Sequence, residues 1–150
     1  MSEQPRIDHG PQLHMAKGRV LVGGHAQAPL CATRNMISFW GGYDPATGVI
    51  IDRHHPLNGE DLTNRIFALP KGKGSSTGSA VLLDALHNGH APAGIILNKV
   101  DEIIALGVVI FDEFFGQKIP VVQLENDDFE MLFSASSASI SEDGTVTLYE

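Results

Sequence analysis

The residues best suited to chemistry in this chain form a glycine- and serine-rich stretch from Lys71 to Ser79, with the sequence KGKGSSTGS. An apolar, helix-like run, AVLLDALHNG, follows it directly. Ser75 or Ser76 suits the N-cap of that helix, and Gly89 stands where a left-handed residue would end it. A helix start gathers unpaired backbone N–H groups and the positive end of the helix dipole. The stretch therefore favours an anion.

Two lysines reinforce this anion preference, in a chain with 10 basic and 18 acidic residues. Lys71 and Lys73 add cationic donors beside backbone that glycine leaves accessible to a ligand. The spacing of the glycines fits neither a Walker A loop nor a dinucleotide-binding fingerprint. A bound carboxylate or phosphate is one interpretation. A plain strand-to-helix turn, in which the serines only cap the helix, is the alternative that the residues leave equally open.

Other reactive side chains predict no metal site and no complete nucleophile arrangement. His54 and His55 are adjacent, so their side chains point apart, and no third ligand is spaced nearby. Cys31 is the single cysteine, which cannot hold an iron–sulfur cluster by itself, and we expect it to be a buried small apolar side chain. Ser75 has no base placed by a motif. If Ser75 is catalytic, another chain must supply the rest of the site.

The elements around the loop predict a β-α-β unit. The apolar run 65–70 should deliver the chain to the loop, and the run 93–97 should return as a strand parallel to it. The segment 28–31 should lead into an extended stretch at 36–40, and a dense turn at 41–48 should join this stretch to a strand at 49–52 as a hairpin or tight β-corner. We also expect a short helix at 101–105 and a strand at 107–110. Further expected elements are strands at 18–24 and 119–122, a helix at 126–133 capped by Asn126, and a hairpin about 142–144. The class is α/β with a mixed sheet.

Composition bounds the possible functions. At 150 residues and 43% hydrophobic, the chain can bury one core, and we assign an N-terminal arm to 1–17 and one domain to 18–150. The net charge of −8 argues against nucleic acid as a partner, because phosphate contacts need a basic face. No run is long and apolar enough to suggest a membrane span, so we expect a cytoplasmic protein.

Four segments together carry a resemblance to a known family: 37–57, 72–79, 91–93 and 119–122. They resemble the small subunit of the aconitase X family over about residues 18 to 122. The resemblance implies an aconitase-like swivelling domain, with β/β/α layers and a mixed sheet. It also implies a large-subunit partner that carries an iron–sulfur cluster and most of the active site. No cofactor is then bound by this chain alone.

The resemblance assigns roles to the loop. Ser75 matches the serine that removes a proton next to a carboxylate, and Lys73, Gly74, Ser76 and Thr77 match substrate anchors. Aconitase proper has an arginine where this chain has Thr77, which argues against citrate. The implied activity is a hydro-lyase reaction on a small hydroxy acid, active only with the large subunit. We expect the substrate to be cis-3-hydroxy-L-proline, with phosphomevalonate as the alternative.

Two functions of other classes remain as rivals. The chain could be a stand-alone anion-binding or regulatory module that uses the same loop without a partner. It could also be a phosphohistidine carrier that is modified on His54 or His55, although no phosphocarrier motif surrounds them.

Overall fold

The computed structural model describes residues 10–37, 42–71, 84–85, 88–100, 102–116 and 119–150. The strands are β1 (Gln12–Lys17), β2 (Arg19–Val22), β3 (Ala26–Ala32), β4 (Tyr43–Asp44), β5 (Val49–Ile50), β6 (Ile66–Leu69), β7 (Gly94–Leu97), β8 (Val121–Gln123), β9 (Ser137–Ile140) and β10 (Thr145–Tyr149). The helices are α1 (Glu102–Phe115) and α2 (Asn126–Met131), and a 3-10 turn (Leu132–Ser134) follows α2. None of the helices in this part of the chain combines the length and hydropathy needed to cross a bilayer.

One eight-stranded sheet carries the fold, in the order β1-β10-β9-β3-β6-β7-β8-β2. Strands β3, β6, β7 and β8 run parallel to one another, whereas the pairs β1–β10, β10–β9, β9–β3 and β8–β2 are antiparallel. The predicted α/β class with a mixed sheet is therefore confirmed. The predicted turn at 41–48 does form a hairpin, as the separate pair β4 and β5, but its first strand is Tyr43–Asp44 and residues 38–41 lie outside the described residues.

The central strand β6 is buried on both faces, as is typical of parallel sheets. Phe67 and Leu69 face a core that includes Ile104 and Val108 of α1. Ile66 and Ala68 face a second core, which Phe129 of α2, Ile140 of β9 and Leu148 of β10 complete. The alternation of strand side chains thus feeds two cores from one sheet.

Gly18 joins the two ends of the sheet, because it alone separates β1 from β2 in the chain. Its N–H donates to the Gly144 carbonyl oxygen at 2.9 Å. Gly144 is in the left-handed region, with φ +89°, and a Cβ there would lie 2.7 Å from Val20 Cγ2 and 2.8 Å from the Gly18 carbonyl oxygen. The sheet therefore curls until its ends meet at a glycine–glycine contact.

The predicted arm is wrong for residues 12–17, which form β1 and pair along β10. Pro5, Pro11 and the polar residues around them suggested a loose segment. However, residues 12–17 gain backbone hydrogen bonds from the C-terminal hairpin that no local pattern reveals. Residues 1–9 lie outside the described residues.

The predicted helix at 101–105 and strand at 107–110 are also wrong, because Glu102–Phe115 is one helix. The β-branched residues at 108–110 suggested a buried strand. Yet β7 and β8 are parallel neighbours, and a parallel pair needs a long crossover, which α1 supplies. The predicted cap is displaced as well, since Glu125 rather than Asn126 occupies the N-cap of α2 and makes no side-chain cap bond.

Hydrogen bonds join the residue that follows β6 to the residues that follow β7. The backbone N–H groups of Asn98 and Lys99 both donate to the Pro70 carbonyl oxygen, at 3.1 and 2.9 Å. The Asn98 side chain donates to the Leu124 carbonyl oxygen at 3.1 Å and to Asn126 Oδ1 at 3.0 Å. One asparagine therefore links the segments that leave β6, β7 and β8.

We predict that Gly144→Ala lowers the free energy of unfolding by about 3 kcal/mol in urea titrations. About 1 kcal/mol comes from the left-handed backbone, and the rest from contacts with Val20 and the Gly18 backbone. Gly59 is the matched control, because its φ is +88° and a Cβ there meets nothing within 4 Å. Gly59→Ala should cost only about 1 kcal/mol. Equal losses for the two variants would contradict a close contact at the meeting point of the sheet ends.

We predict that Asn98→Ala lowers the free energy of unfolding by about 2 kcal/mol, since it removes the donor to Asn126 Oδ1 and the shorter of the two side-chain hydrogen bonds to the Leu124 carbonyl oxygen. Amide exchange at Lys99 should accelerate in the same variant, because its bond to Pro70 loses support. Asn88→Ala is the control. Among the described residues, its exposed side chain donates to Asp84 alone, at 3.4 Å, so its loss should stay within about 0.5 kcal/mol. Unchanged exchange at Lys99 would show that Asn98 does not hold the strand exits together.

Candidate active site at the carboxyl edge of the sheet

The carboxyl ends of the parallel strands bring several chain exits to one edge of the sheet. The Thr33 N–H, just beyond β3, donates to the Ala68 carbonyl oxygen of β6 at 2.9 Å. On the other side of β6, Leu69 is level with Leu97 of β7, and Pro70 receives the two N–H groups after β7. Ligands of open α/β sheets commonly bind outside the carboxyl ends of the strands. The glycine- and serine-rich stretch leaves from the central strand at this edge.

The predicted site residues Lys73, Gly74, Ser75, Ser76 and Thr77 lie outside the described residues. Their roles therefore remain predictions. The described chain stops at Lys71 and resumes at residues 84 and 85, which are helical. Two of the surrounding predictions are confirmed: β6 and β7 are parallel, and Gly89 has a left-handed φ of +76°. The order strand, stretch, helix and parallel strand thus holds at every described position.

Two lysines give this edge a local positive charge. Lys71 follows β6 and Lys99 follows β7, and both are exposed. Neither takes part in the ion pairs found among the described residues, which join His14 to Asp128, Lys17 to Asp143, Arg34 to Glu130 and Arg65 to Glu60. Free ammonium groups next to backbone turns attract carboxylates and phosphates. Lys99 was not predicted as a site residue from the sequence, although its position directly after the strand parallel to β6 could have indicated it.

The two histidines have unequal environments. His54 is exposed, whereas His55 is only 6% exposed. The Leu57 N–H donates to His55 Nδ1 at 3.0 Å, and His55 Nε2 is buried with no hydrogen-bond partner among the described residues. Because one ring nitrogen already accepts a hydrogen bond and the other is buried, His55 is poorly placed to accept a phosphoryl group. The carrier hypothesis is therefore left with His54 alone.

The donor set of this chain does not fit a metal cluster. Cys31 is the only cysteine and is 5% exposed, which confirms the expectation of a buried side chain. Its burial raises the pKa of the thiol, so the metal-binding thiolate is disfavoured. Within the described ranges, no three His, Cys, Asp or Glu side chains gather closely enough to hold a metal ion.

Comparison with known proteins gives relatives of two kinds. A cis-3-hydroxy-L-proline dehydratase from Hypocrea jecorina is 47% identical over 131 residues, which are 87% of this chain and 22% of that protein. The chain thus spans about a fifth of the length of that relative. A phosphomevalonate dehydratase small subunit from Methanocella arvoryzae is 36% identical over 135 residues, which are 89% of this chain and 96% of that protein.

A solved structure shares the fold. The crystal structure of Thermococcus kodakaraensis aconitase X in its holo-form superposes with a TM-score of 0.75 at 32% identity. The match covers 94% of this chain and all (100%) of that chain. It confirms the expected swivel-type fold with a curled mixed sheet.

The family model of the aconitase X swivel domain matches residues 15–148, nearly the whole chain. The resemblance seen in the sequence motifs is thereby confirmed. Together with the curled mixed sheet and the stretch at its carboxyl edge, this match shows that the chain belongs to the aconitase X swivel domain family.

Proposed function

We propose that this chain is the swivel-domain subunit of a hydro-lyase that dehydrates cis-3-hydroxy-L-proline together with a large subunit. The observation that carries the proposal is the origin of the serine stretch at the carboxyl end of a central parallel strand, in a chain 47% identical to a dehydratase of that name. The site is then shared between two subunits, and this chain supplies the face that binds the substrate anion.

The proposed chemistry follows from the substrate. In a 3-hydroxy carboxylic acid, the carbon next to the carboxylate carries the proton that is lost, and the adjacent carbon carries the hydroxyl. Ser75 takes the proton, the C–O bond breaks, and a C=C bond forms with release of water. Lys73, Gly74, Ser76 and Thr77 hold the carboxylate, while Lys71 and Lys99 at the same edge favour its approach.

The proposal assigns the iron–sulfur cluster to the large subunit. This chain has one cysteine, which is buried, and cluster ligation requires several thiolates. The acid that assists departure of the hydroxyl therefore belongs to the partner. Activity requires both chains, because neither the base nor the acid works alone.

Phosphomevalonate is the second candidate substrate, and a different observation favours it. The chain covers 96% of a phosphomevalonate dehydratase small subunit, compared with 22% of the hydroxyproline dehydratase. The exposed side chains of Lys71 and Lys99 at the edge also suit a substrate with an added phosphate. Both candidates are 3-hydroxy acids, so the roles of the loop residues are the same for either.

We predict that Ser75→Ala lowers kcat by roughly 10³-fold or more in the two-chain enzyme, since the base is removed. The measurement is an anaerobic assay of dehydration of each candidate substrate by the co-expressed subunits. Ser139→Ala is the control, because Ser139 lies on β9, away from the carboxyl edge of β6, and should retain activity within about twofold.

Each outcome separates the alternatives. A complex that remains active as Ser75→Ala would reduce the loop to a cap or an anchor. A chain that binds carboxylates or phosphate but forms no complex would favour the stand-alone module. The faster of the two substrates identifies the branch of the family to which the enzyme belongs.

A further inference from the structure

The outer face of α1 carries exposed apolar side chains in the middle of the helix, where a surface helix is normally polar. Ile104 and Val108 are buried against the sheet. On the opposite side, Leu106 is 52% exposed and Val109 is 44% exposed. These two residues are three positions apart, so they are neighbours on one face. The sequence from 103 to 111, IIALGVVIF, contains no charge at all. A helix that is hydrophobic on all sides is typical of one that is covered on all sides.

A further exposed apolar side chain lies at the candidate active site, just before α1. Val100, 43% exposed, lies between β7 and α1 and directly follows Lys99, whose N–H donates to the Pro70 carbonyl oxygen. We call Val100, Leu106 and Val109 the α1 stripe. Met36, 45% exposed, follows β3 at the same edge of the sheet. A partner that covers the carboxyl edge would therefore contact the exposed side chains of Met36 and Val100. The other two residues of the stripe lie further along α1.

We infer that the α1 stripe is the docking surface for the large subunit, an inference that rests on the proposed function. Two observations select this occupant. Relatives of matching length are named small subunits, and the donor set of this chain does not fit the cluster that the reaction is proposed to need. The missing part of the site must approach the carboxyl edge, where the stripe starts.

The stripe also specifies the chemistry of the partner surface. Its three members are aliphatic, so the facing surface is apolar at its centre. Lys99 lies just before the start of α1 and the exposed Glu113 lies in its last turn, and the 14-residue helix is about 21 Å long. The partner is expected to present an acidic side chain near Lys99 and a basic one near Glu113.

The test measures binding of the purified chain to the purified large subunit by calorimetric titration. Leu106→Glu and Val109→Glu should each weaken binding at least about tenfold, because each places a charge in an apolar contact. Glutamate suits a helix, and both positions are exposed, so the variants should melt within a few degrees of the wild type. Met15→Glu is the matched control. Met15 is 56% exposed but lies on β1, and its substitution should change binding less than about twofold.

Two results would overturn the inference in different ways. If the wild-type pair is active and both stripe variants bind as tightly as the wild type, the stripe is not the interface and the proposed function stands. If the large subunit never binds the wild-type chain, the proposed function fails as well. Self-association of the chain that Leu106→Glu abolishes, with binding to the large subunit unchanged, would assign the stripe to a second copy.

Discussion

The meeting of Gly18 and Gly144 is the constraint on which the rest of the structure depends. The first strand run bends at Gly18, so its first half pairs with β10 and its second half with β8. The two ends of the sheet are consequently one residue apart in the chain. Only side chains as small as hydrogen allow this approach, since a Cβ on Gly144 would press on the Gly18 backbone. The curl encloses the second core and holds the parallel strands in place.

The parallel strands of the curled sheet position the candidate site at their carboxyl ends. Strand β6 contributes no reactive group, because its four residues are fully buried in the two cores. Its role is to deliver the chain to a fixed point at the edge of the sheet. Neighbouring strands on both sides restrict that point through backbone hydrogen bonds from Thr33, Asn98 and Lys99. The glycine-rich stretch thus starts from one of the most constrained positions in the fold.

Local sequence patterns were sufficient to predict β6 and β7 at the centre of the sheet, but not β1 or α1. The runs that became β6 and β7 are short, apolar and bounded by turn residues, so both the strands and their parallel pairing could be predicted. The strand β1 depends on hydrogen bonds with residues more than a hundred positions away, which leave no local trace. In α1, strand propensity at Val108 and Val109 conflicted with the topology, and the topology prevailed. The candidate site was predictable to the same extent. The serine stretch is a recognisable sequence motif, whereas the positions of Lys99 and Asn98 at this edge depend on where β7 lies in the sheet.

The Pro70 carbonyl oxygen couples two segments of the chain. It accepts from Asn98 and Lys99, in the segment that leads from β7 to α1, and it belongs to the residue that precedes the serine stretch. The segment that leads into the helix and the start of the stretch therefore share one hydrogen-bond acceptor. A force that displaces the beginning of α1 also displaces the entry of the stretch, because neither can shift without stretching or breaking these bonds. The proposed docking helix and the proposed catalytic stretch are in this way connected through a single peptide oxygen, so that assembly with the proposed partner would act directly on the position of the stretch.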